Sequence, residues 1–339
     1  MGAPDFDDAR LDDEDVLVRH DTVLRQLAAT GARIRTECGA AMDSQMDFDL
    51  HPRGIVLAGL ESRLIHSAME ATCPAPLVAW PREGLPGWTG PLDLVVVQAT
   101  GGPDAALPTT VIEAARRGCT LLVAAPAIGI IAEQIPNRGV VKLITTTGDP
   151  VAASVALLDV LARAGLGPEI VTESIAEAAD MVAEECSPHR DQSSNPAKSA
   201  AIALADAQPL VWGGSMLAAR AARRVAEELR RVTGRAALAA PAGGLAPLLA
   251  ACAPRDPFAD PDDQPSHPVL VSLDDGDDAP IEQHERVMLE NIAESHQLRV
   301  LHLVCDDEAA GPVGRHVVLR QKGLYAAAFL GVGLDALSV

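Results

Sequence analysis

Residues 54–62, Gly-Ile-Val-Leu-Ala-Gly-Leu-Glu-Ser, form a short apolar run that ends on a glycine and leads into helix-forming residues. Residues 209–215, Pro-Leu-Val-Trp-Gly-Gly-Ser, repeat this order of features later in the chain. A β-rich run, a glycine turn and a helix start make up the repeating unit of a doubly wound parallel sheet. The two stretches therefore predict two α/β halves of similar architecture.

The flanking sequence extends both patterns. In the first half, apolar runs alternate with helix candidates that start near Ser62, Asp104, Ile128 and Pro150; the runs span residues 54–58, 76–79, 92–97, 120–124 and 140–145. In the second half, runs at 209–212, 236–239, 268–273, 298–304 and 315–319 alternate with helices near 215–231, 245–251, 281–295 and 324–337. This alternation predicts an α/β fold with two flavodoxin-like halves, each a three-layer αβα arrangement around a parallel sheet.

The length of 339 residues suits two such domains. We expect an acidic helical segment over 1–50, a first domain over 51–165, a helical connector over 166–205 and a second domain over 206–339. Within the second domain, residues 254–267 are rich in Asp and Pro and are predicted to form a loop.

Composition and charge disfavour several classes of protein. No apolar run approaches the roughly 20 residues of a membrane span, and seven acidic residues between Asp5 and Asp15 are the opposite of a secretory signal, so we expect a cytoplasmic protein. A net charge of −20 disfavours binding to nucleic acid or to anionic membranes. The six cysteines form no C-x-x-C pair, and we expect neither a metal nor a cofactor.

Three loops are candidate phosphate sites, because they lie where the strands of a parallel sheet run into helix N-termini. The first contains Gly59 and Ser62, with Glu61 at its margin. The second contains Gly213, Gly214 and Ser215, and the third contains Thr100 and Gly101. Each has an alternative interpretation as a tight turn or a helix cap.

Residues 195–198, Asn-Pro-Ala-Lys, are typical of a helix start with Asn195 as the cap. Lys198 would then lie in the first turn, where it could contact a phosphate or remain solvated. We place Asn195 and Lys198 at the margin of the candidate site.

Together, the two glycine–serine loops, Thr100-Gly101, Asn195–Lys198 and Pro209–Ser215 resemble the bifunctional phosphoglucose/phosphomannose isomerases of the sugar isomerase (SIS) superfamily, in particular their TobH-like members in high-GC bacteria. The resemblance spans roughly residue 52 to the C-terminus, and its most specific parts are 195–198 and 210–215. It implies SIS-like halves, a phosphorylated sugar as ligand, a site in the cleft between the halves and a homodimer.

The chain departs from this family at several functional positions. Glu61 stands in the first glycine loop, and residues 98–103 lack two of the family's hydroxyl groups. Val151 follows Pro150 where the resemblance implies an arginine. Residues 236–251 contain no acid, histidine or asparagine, although the family draws its catalytic Glu and an Asn-His pair from this region.

Three functions remain open from the sequence. The first is a sugar-phosphate-binding relative without catalysis, a pseudoenzyme in hexose-phosphate and mannose metabolism. The second is an active glucose-6-phosphate/mannose-6-phosphate isomerase with relocated catalytic residues, for which Glu61 is the acid beside a candidate loop. The third is a structural or interaction protein. Other acids and histidines that could serve the second function are His284, Glu285, Glu290, His296, His302 and His316. The first four lie on one predicted helix, where we favour a solvated face over a catalytic role. The last two lie on or beside predicted strands.

Overall fold

The computed structural model describes residues 6–42, 51–100, 106–135, 139–252, 267–277, 279–305 and 307–336. Gly101, the predicted helix start at Asp104 and residues 254–266 of the predicted loop lie outside these ranges. Within them, no helix is both long and apolar enough to cross a bilayer.

Helices precede the first sheet. A 3₁₀ turn over Asp8–Leu11 is followed by α1 (Glu14–Arg19), α2 (Asp21–Ala28) and α3 (Thr30–Met42). Asp7 and Asp13 cap the first two of these elements through their carboxylates, which accept hydrogen bonds from backbone N–H groups two or three residues ahead. The acidic N-terminal sequence thus serves in part as helix caps.

The first sheet is parallel, with strand order β2-β1-β3-β4-β5. Its strands are β1 (Ile55–Gly59), β2 (Leu77–Ala79), β3 (Leu94–Gln98), β4 (Thr120–Pro126) and β5 (Val140–Thr145). The helices that connect and follow them are α4 (Ser62–Met69), α5 (Ala106–Arg117), α6 (Ile130–Gln134) and α7 (Pro150–Arg163). The central strands β1 and β3 are buried almost throughout, which explains their continuous apolar sequence.

Two helices, α8 (Thr172–Glu185) and α9 (Pro196–Leu204), precede the second sheet. This sheet is also parallel, with order β7-β6-β8-β9, and repeats the first four positions of the first sheet. Its elements are β6 (Ala207–Gly213), α10 (Met216–Thr233), β7 (Leu238–Ala239), α11 (Ala242–Ala250), β8 (His267–Asp274), α12 (Pro280–Ser295), β9 (Arg299–Val304) and α13 (Gly311–Gly333). The predicted α/β fold with two doubly wound αβα halves is confirmed.

The prediction of a fifth strand at residues 315–319 is wrong. These residues lie inside α13, a helix of 23 residues, and the same element continues through residues 324–333 of the helix predicted over 324–337. Val317, Val318 and Leu319 are all buried because α13 packs against α9, α10 and α2 on several sides. A helix buried on most of its surface lacks the polar face that would distinguish it from a strand in sequence.

The chain divides into two compact units. One comprises residues 30–176 and contains the first sheet. The other comprises residues 1–29 together with 177–339 and contains the second sheet. The helical segment before residue 50 therefore contributes to both units.

Candidate functional site

The end of β6 approaches α10 so closely that only glycine fits at Gly213, the last residue of the strand. A Cβ placed on Gly213 would lie 2.4 Å from the carbonyl carbon of Ala218 and 2.8 Å from the backbone nitrogen of Ala219. Both distances are shorter than a non-bonded contact allows. The close approach brings the end of the strand against the first turn of the helix, where backbone N–H groups have no intrahelical acceptor.

Ser215 caps α10. Its Oγ accepts a hydrogen bond of 3.0 Å from the N–H of Ala218 and donates a short hydrogen bond to Oδ2 of Asp275. Asp275 follows β8 and is only 7% exposed. The hydroxyl expected to bind a ligand is therefore already paired with a carboxylate of the protein.

A cavity of about 170 Å³ opens beside this loop. Gly213, Gly214 and Ser215 form one side of it, and the first two turns of α10 form another. Arg223 and Glu285 are the two charged residues among those that line it. The remaining lining is mostly apolar, which is common in small-molecule sites that bind through a few polar groups.

Carboxyl groups surround the second loop. A Cβ placed on Gly214 would lie 3.1 Å from the Cβ of Glu282, which places the start of α12 beside the loop. Burial, followed by repulsion from Asp277, Asp275 and Glu285, raises the pKa of Glu282 to about 7. Glu282 can therefore exchange a proton near neutral pH.

The corresponding loop of the first sheet is filled by protein groups. Gly59 has φ +118°, and a Cβ on it would lie 2.2 Å from the carbonyl oxygen of Gln98. Glu61 precedes α4 and is 5% exposed, and Ser62, the first residue of that helix, is also buried. The Glu61 side chain is thus held within the protein and not turned to solvent.

Gln98 links three segments at this end of the first sheet. Its Oε1 accepts a hydrogen bond of 2.9 Å from the N–H of Glu61. Its Nε2 donates to Oγ1 of Thr100 at 2.9 Å and to the carbonyl oxygen of Pro150 at 2.7 Å. Thr100 is buried and accepts this internal hydrogen bond, while Gly101 lies outside the described residues. The carboxamide therefore occupies donors and acceptors that a ligand would need.

Asn195 has the predicted role of a helix cap, accepting hydrogen bonds from the N–H groups of Ala197 and Lys198. The proposed contact of Lys198 with a phosphate is contradicted by its environment. Its ammonium group is fully buried and donates to Oδ1 of Asp12 at 2.7 Å and to the carbonyl oxygens of Pro188 at 2.9 Å and Arg190 at 2.8 Å. All three N–H donors are used, so none remains for a ligand.

The other acids and histidines singled out in the sequence are spread over the second unit. Glu285 lines the cavity, whereas Glu290 lies 3.8 Å from the half-exposed ring of His302. His284 is exposed on α12, and the ring of His296 lies 3.0 Å from the carbonyl oxygen of Cys252. Among the side chains that the structure describes, no three of His, Cys, Asp or Glu form a group that could hold a metal ion.

His316 was expected on or beside a strand and lies in α13 instead. Its Nδ1 is 2.9 Å from the carbonyl oxygen of Leu217, which identifies Nδ1 as the protonated nitrogen. Complete burial, followed by repulsion from Arg320, Arg224 and Arg220, lowers the pKa of His316 to about 4 despite this hydrogen bond. The residue is a neutral core histidine that supports the first turn of α10.

Solved structures share this fold across most of the chain. A tagatose-6-phosphate ketose/aldose isomerase from Escherichia coli aligns at 13% identity and a TM-score of 0.62, over 91% of this chain and 88% of that one. The C-terminal domain of glucosamine-fructose-6-phosphate aminotransferase from Francisella tularensis aligns at 12% identity and a TM-score of 0.60, over 91% of this chain and 96% of that one. A glucose-6-phosphate isomerase-like protein from Thermus thermophilus aligns at 17% identity and a TM-score of 0.54, over 95% of this chain and 92% of that one. The chain has the fold of phosphosugar isomerases.

This likeness is one of fold. No protein-family model and no curated protein sequence matches the chain. The functional assignment therefore depends on the residues at the carboxyl ends of the two sheets.

Sequence reasoning missed three residues of the second site: Arg223, Asp275 and Glu282. Arg223 lies two turns after Ser215 on the same helix, so a helical projection from the loop could have identified it. Asp275 and Glu282 follow a different strand, and Asp275 is the second residue after the apolar run at 268–273. The carboxyl ends of all strands in a parallel sheet lie at the same edge. This rule could have placed Asp275 and Glu282 beside the Gly213–Ser215 loop.

Proposed function

We propose that this chain binds a phosphorylated sugar against the Gly213–Ser215 loop, at the carboxyl end of the second sheet. The observation that carries the proposal is the cavity beside this loop, in a fold shared with phosphosugar isomerases. Ligands of open α/β sheets bind at this edge, and helix N-termini there favour anions.

The lining of the cavity suits both parts of such a ligand. The Arg223 guanidinium can pair with a phosphate group through charge-assisted hydrogen bonds, and the first turn of α10 adds backbone N–H donors. Glu285 can accept hydrogen bonds from sugar hydroxyls. The neighbouring carboxylates of Asp275 and Glu282 repel phosphate, so we expect affinity that rises as these groups are neutralised.

The residues favour binding of a sugar phosphate without isomerisation. Aldose–ketose isomerisation requires a base that moves a proton between adjacent carbons. Residues 236–251, which form β7 and α11, contain no such group, and Val151 is buried where the resemblance implies an arginine. We therefore propose a pseudoenzyme that senses or carries a hexose phosphate, with a cytoplasmic location and a homodimeric state as further parts of the proposal.

A second candidate function is active isomerisation of glucose 6-phosphate or mannose 6-phosphate. One observation favours it: Glu282 lies beside Gly214 with a pKa raised to about 7, the property of a group that takes and returns a proton near neutral pH. Glu61 is buried, which keeps it within this second hypothesis as well.

A third candidate is a structural or interaction protein. The internal hydrogen bonds of Gln98 and the Ser215–Asp275 pair favour it, because both satisfy loop groups without a ligand.

Two measurements separate these functions. A thermal-shift panel should include fructose 6-phosphate, glucose 6-phosphate, mannose 6-phosphate, unphosphorylated fructose and inorganic phosphate. Stabilisation by a hexose phosphate but not by fructose supports binding, since a ligand of the folded state must stabilise it. No shift with any compound supports the structural function. Incubation with fructose 6-phosphate in heavy water, followed by proton NMR, tests catalysis: deuterium at C1 or C2 would establish isomerisation.

A further inference from the structure

A carboxylate from a distant helix is bound in the loop that follows β5. Oε1 of Glu37, in the middle of α3, accepts hydrogen bonds from the N–H of Thr146 at 3.0 Å and from the N–H of Thr147 at 2.6 Å. The same oxygen accepts a third hydrogen bond of 2.6 Å from Oγ1 of Thr147. Glu37 is only 3% exposed.

Three converging donors of this kind are how proteins hold an oxyanion. Consecutive backbone N–H groups form a concave anion site, and hydrogen bonds to an ionised oxygen are stronger than neutral ones. The donors belong to a loop at the carboxyl end of a parallel strand, the edge at which α/β sheets bind ligands. The acceptor comes from a helix more than 100 residues earlier in the chain, so the carboxylate is not part of the loop's own turn.

The loop itself reaches solvent. Thr146 is exposed and Thr147 half-buried, although the carboxylate they bind is buried beneath them. Asp149, the cap of α7, directs its own Oδ1 to the N–H groups of Val151 and Ala152 and its Oδ2 to Arg33 of α3. Its charge is therefore engaged by α7 and α3, and the Thr146–Thr147 donors are left to Glu37.

We propose that the Thr146–Thr147 loop is an oxyanion-binding site for a carboxylate or phosphate group, and that Glu37 is its internal ligand. The same three donors can bind an external oxyanion once the Glu37 carboxylate is removed. The inference concerns the first sheet and is independent of the sugar-phosphate site proposed at Gly213–Ser215. The alternative is that Glu37 only fixes the loop to α3, with no capacity for another anion.

Chemical rescue distinguishes these two roles. The variant Glu37→Ala removes the carboxylate and leaves space for a small anion. Melting temperatures of the full chain would be measured in sodium chloride, phosphate and acetate at equal ionic strength. The phosphate and acetate arms identify which oxyanion the site prefers. Every shift is taken relative to the wild type in the same salt, so that binding at Gly213–Ser215 cancels.

We expect Glu37→Ala to melt below the wild type in chloride and to recover by at least about 3 °C in phosphate or acetate. Glu37→Gln keeps the volume of the side chain and should show no extra recovery. Glu173→Ala removes an exposed acid of α8 that pairs with Arg35, a residue of α3 like Glu37. This variant should also show no extra recovery. The double variant Glu37→Ala/Thr147→Val, which lacks the hydroxyl donor, should lose most of the rescue.

An equal shift in Glu173→Ala or in the double variant would overturn the proposal, as would a folded Glu37→Ala that does not respond to either anion. If Glu37→Ala fails to fold in chloride, recovery of its native circular dichroism spectrum in phosphate or acetate supports the site, and failure in all three salts counts against it.

Discussion

The Ser215 hydroxyl donates a short hydrogen bond to the carboxylate of Asp275, joining the loops that follow β6 and β8. The pair stabilises the cap of α10 and also places a negative charge beside the loop proposed to bind phosphate. Ligand affinity at this loop should therefore depend strongly on the charge of Asp275.

Neutralising Asp275 should strengthen binding. Asp275→Asn retains an acceptor for Ser215 but removes the repulsion of a phosphate group, and we expect fructose 6-phosphate to bind about 5- to 10-fold more tightly at low salt. Glu14→Gln, which removes an exposed acid of α1, should have little effect. Titration calorimetry measures the affinity of both variants at 50 mM and 300 mM salt. The Debye length differs roughly twofold between these conditions, so an electrostatic effect should be smaller at the higher salt concentration. Weaker binding by Asp275→Asn would show that the carboxylate contacts the ligand directly.

Lys198 should matter for stability and not for ligand binding. Lys198→Met leaves Asp12 and two backbone carbonyl groups without their donor, and we expect a loss of about 2–4 kcal/mol in the free energy of unfolding. Lys322→Met removes a more exposed lysine paired with Glu185 at 3.6 Å and should cost less than about 1 kcal/mol. Urea unfolding compares the two. A Lys198→Met protein of normal stability that no longer binds a hexose phosphate would restore Lys198 to the site.

His316 predicts a loss of stability in acid. Its pKa is about 4 in the folded protein and about 6.5 in an unfolded chain. The unfolded state therefore binds the proton more readily, and stability falls as the pH drops from 6.5 to 4, by up to about 3 kcal/mol. His316→Asn keeps a donor for Leu217 but cannot titrate, so its unfolding free energy should vary less over this range. His302→Asn, at a half-exposed position, should retain the wild-type slope; equal slopes in all three proteins would refute the assignment.

Glu282 should make folding stability fall as the pH rises, which is opposite to the effect of His316. Its pKa is raised in the folded state, so the folded protein holds the proton more tightly, and stability is lost as the pH rises through 7. Glu282→Gln should therefore raise the melting temperature at pH 8 by about 1–3 °C and leave it unchanged near pH 4.5. Glu294→Gln, at an exposed position of the same helix, serves as the control. A stabilisation that is the same at both pH values would rule out titration as its cause.

Local sequence was sufficient for the α/β fold and for the positions of most strands. Gly59 and Gly213 were recognisable because each ends an apolar run, and close backbone contacts explain both. Residues 315–319 were misassigned because α13 is buried on most sides, and a helix without a polar face does not show the helical period.

The site was harder to predict because its groups meet through the tertiary fold. Nothing near Lys198 in sequence indicates that Asp12 binds it, and nothing near Ser215 indicates Asp275. Glu37 and Thr147 are separated by an entire sheet in sequence. Such pairings depend on which elements become neighbours in space, which one sequence does not specify.

The most direct test of the proposed function is titration calorimetry of fructose 6-phosphate into the wild type, Arg223→Gln and Arg231→Gln. Arg231 lies on the same helix, exposed and paired with Glu228, and is a matched control for the loss of a guanidinium group. We expect saturable binding to the wild type, a loss of at least about tenfold in affinity for Arg223→Gln and no change for Arg231→Gln. Absence of binding to the wild type, or equal affinities in all three proteins, would contradict a sugar-phosphate site at Gly213–Ser215.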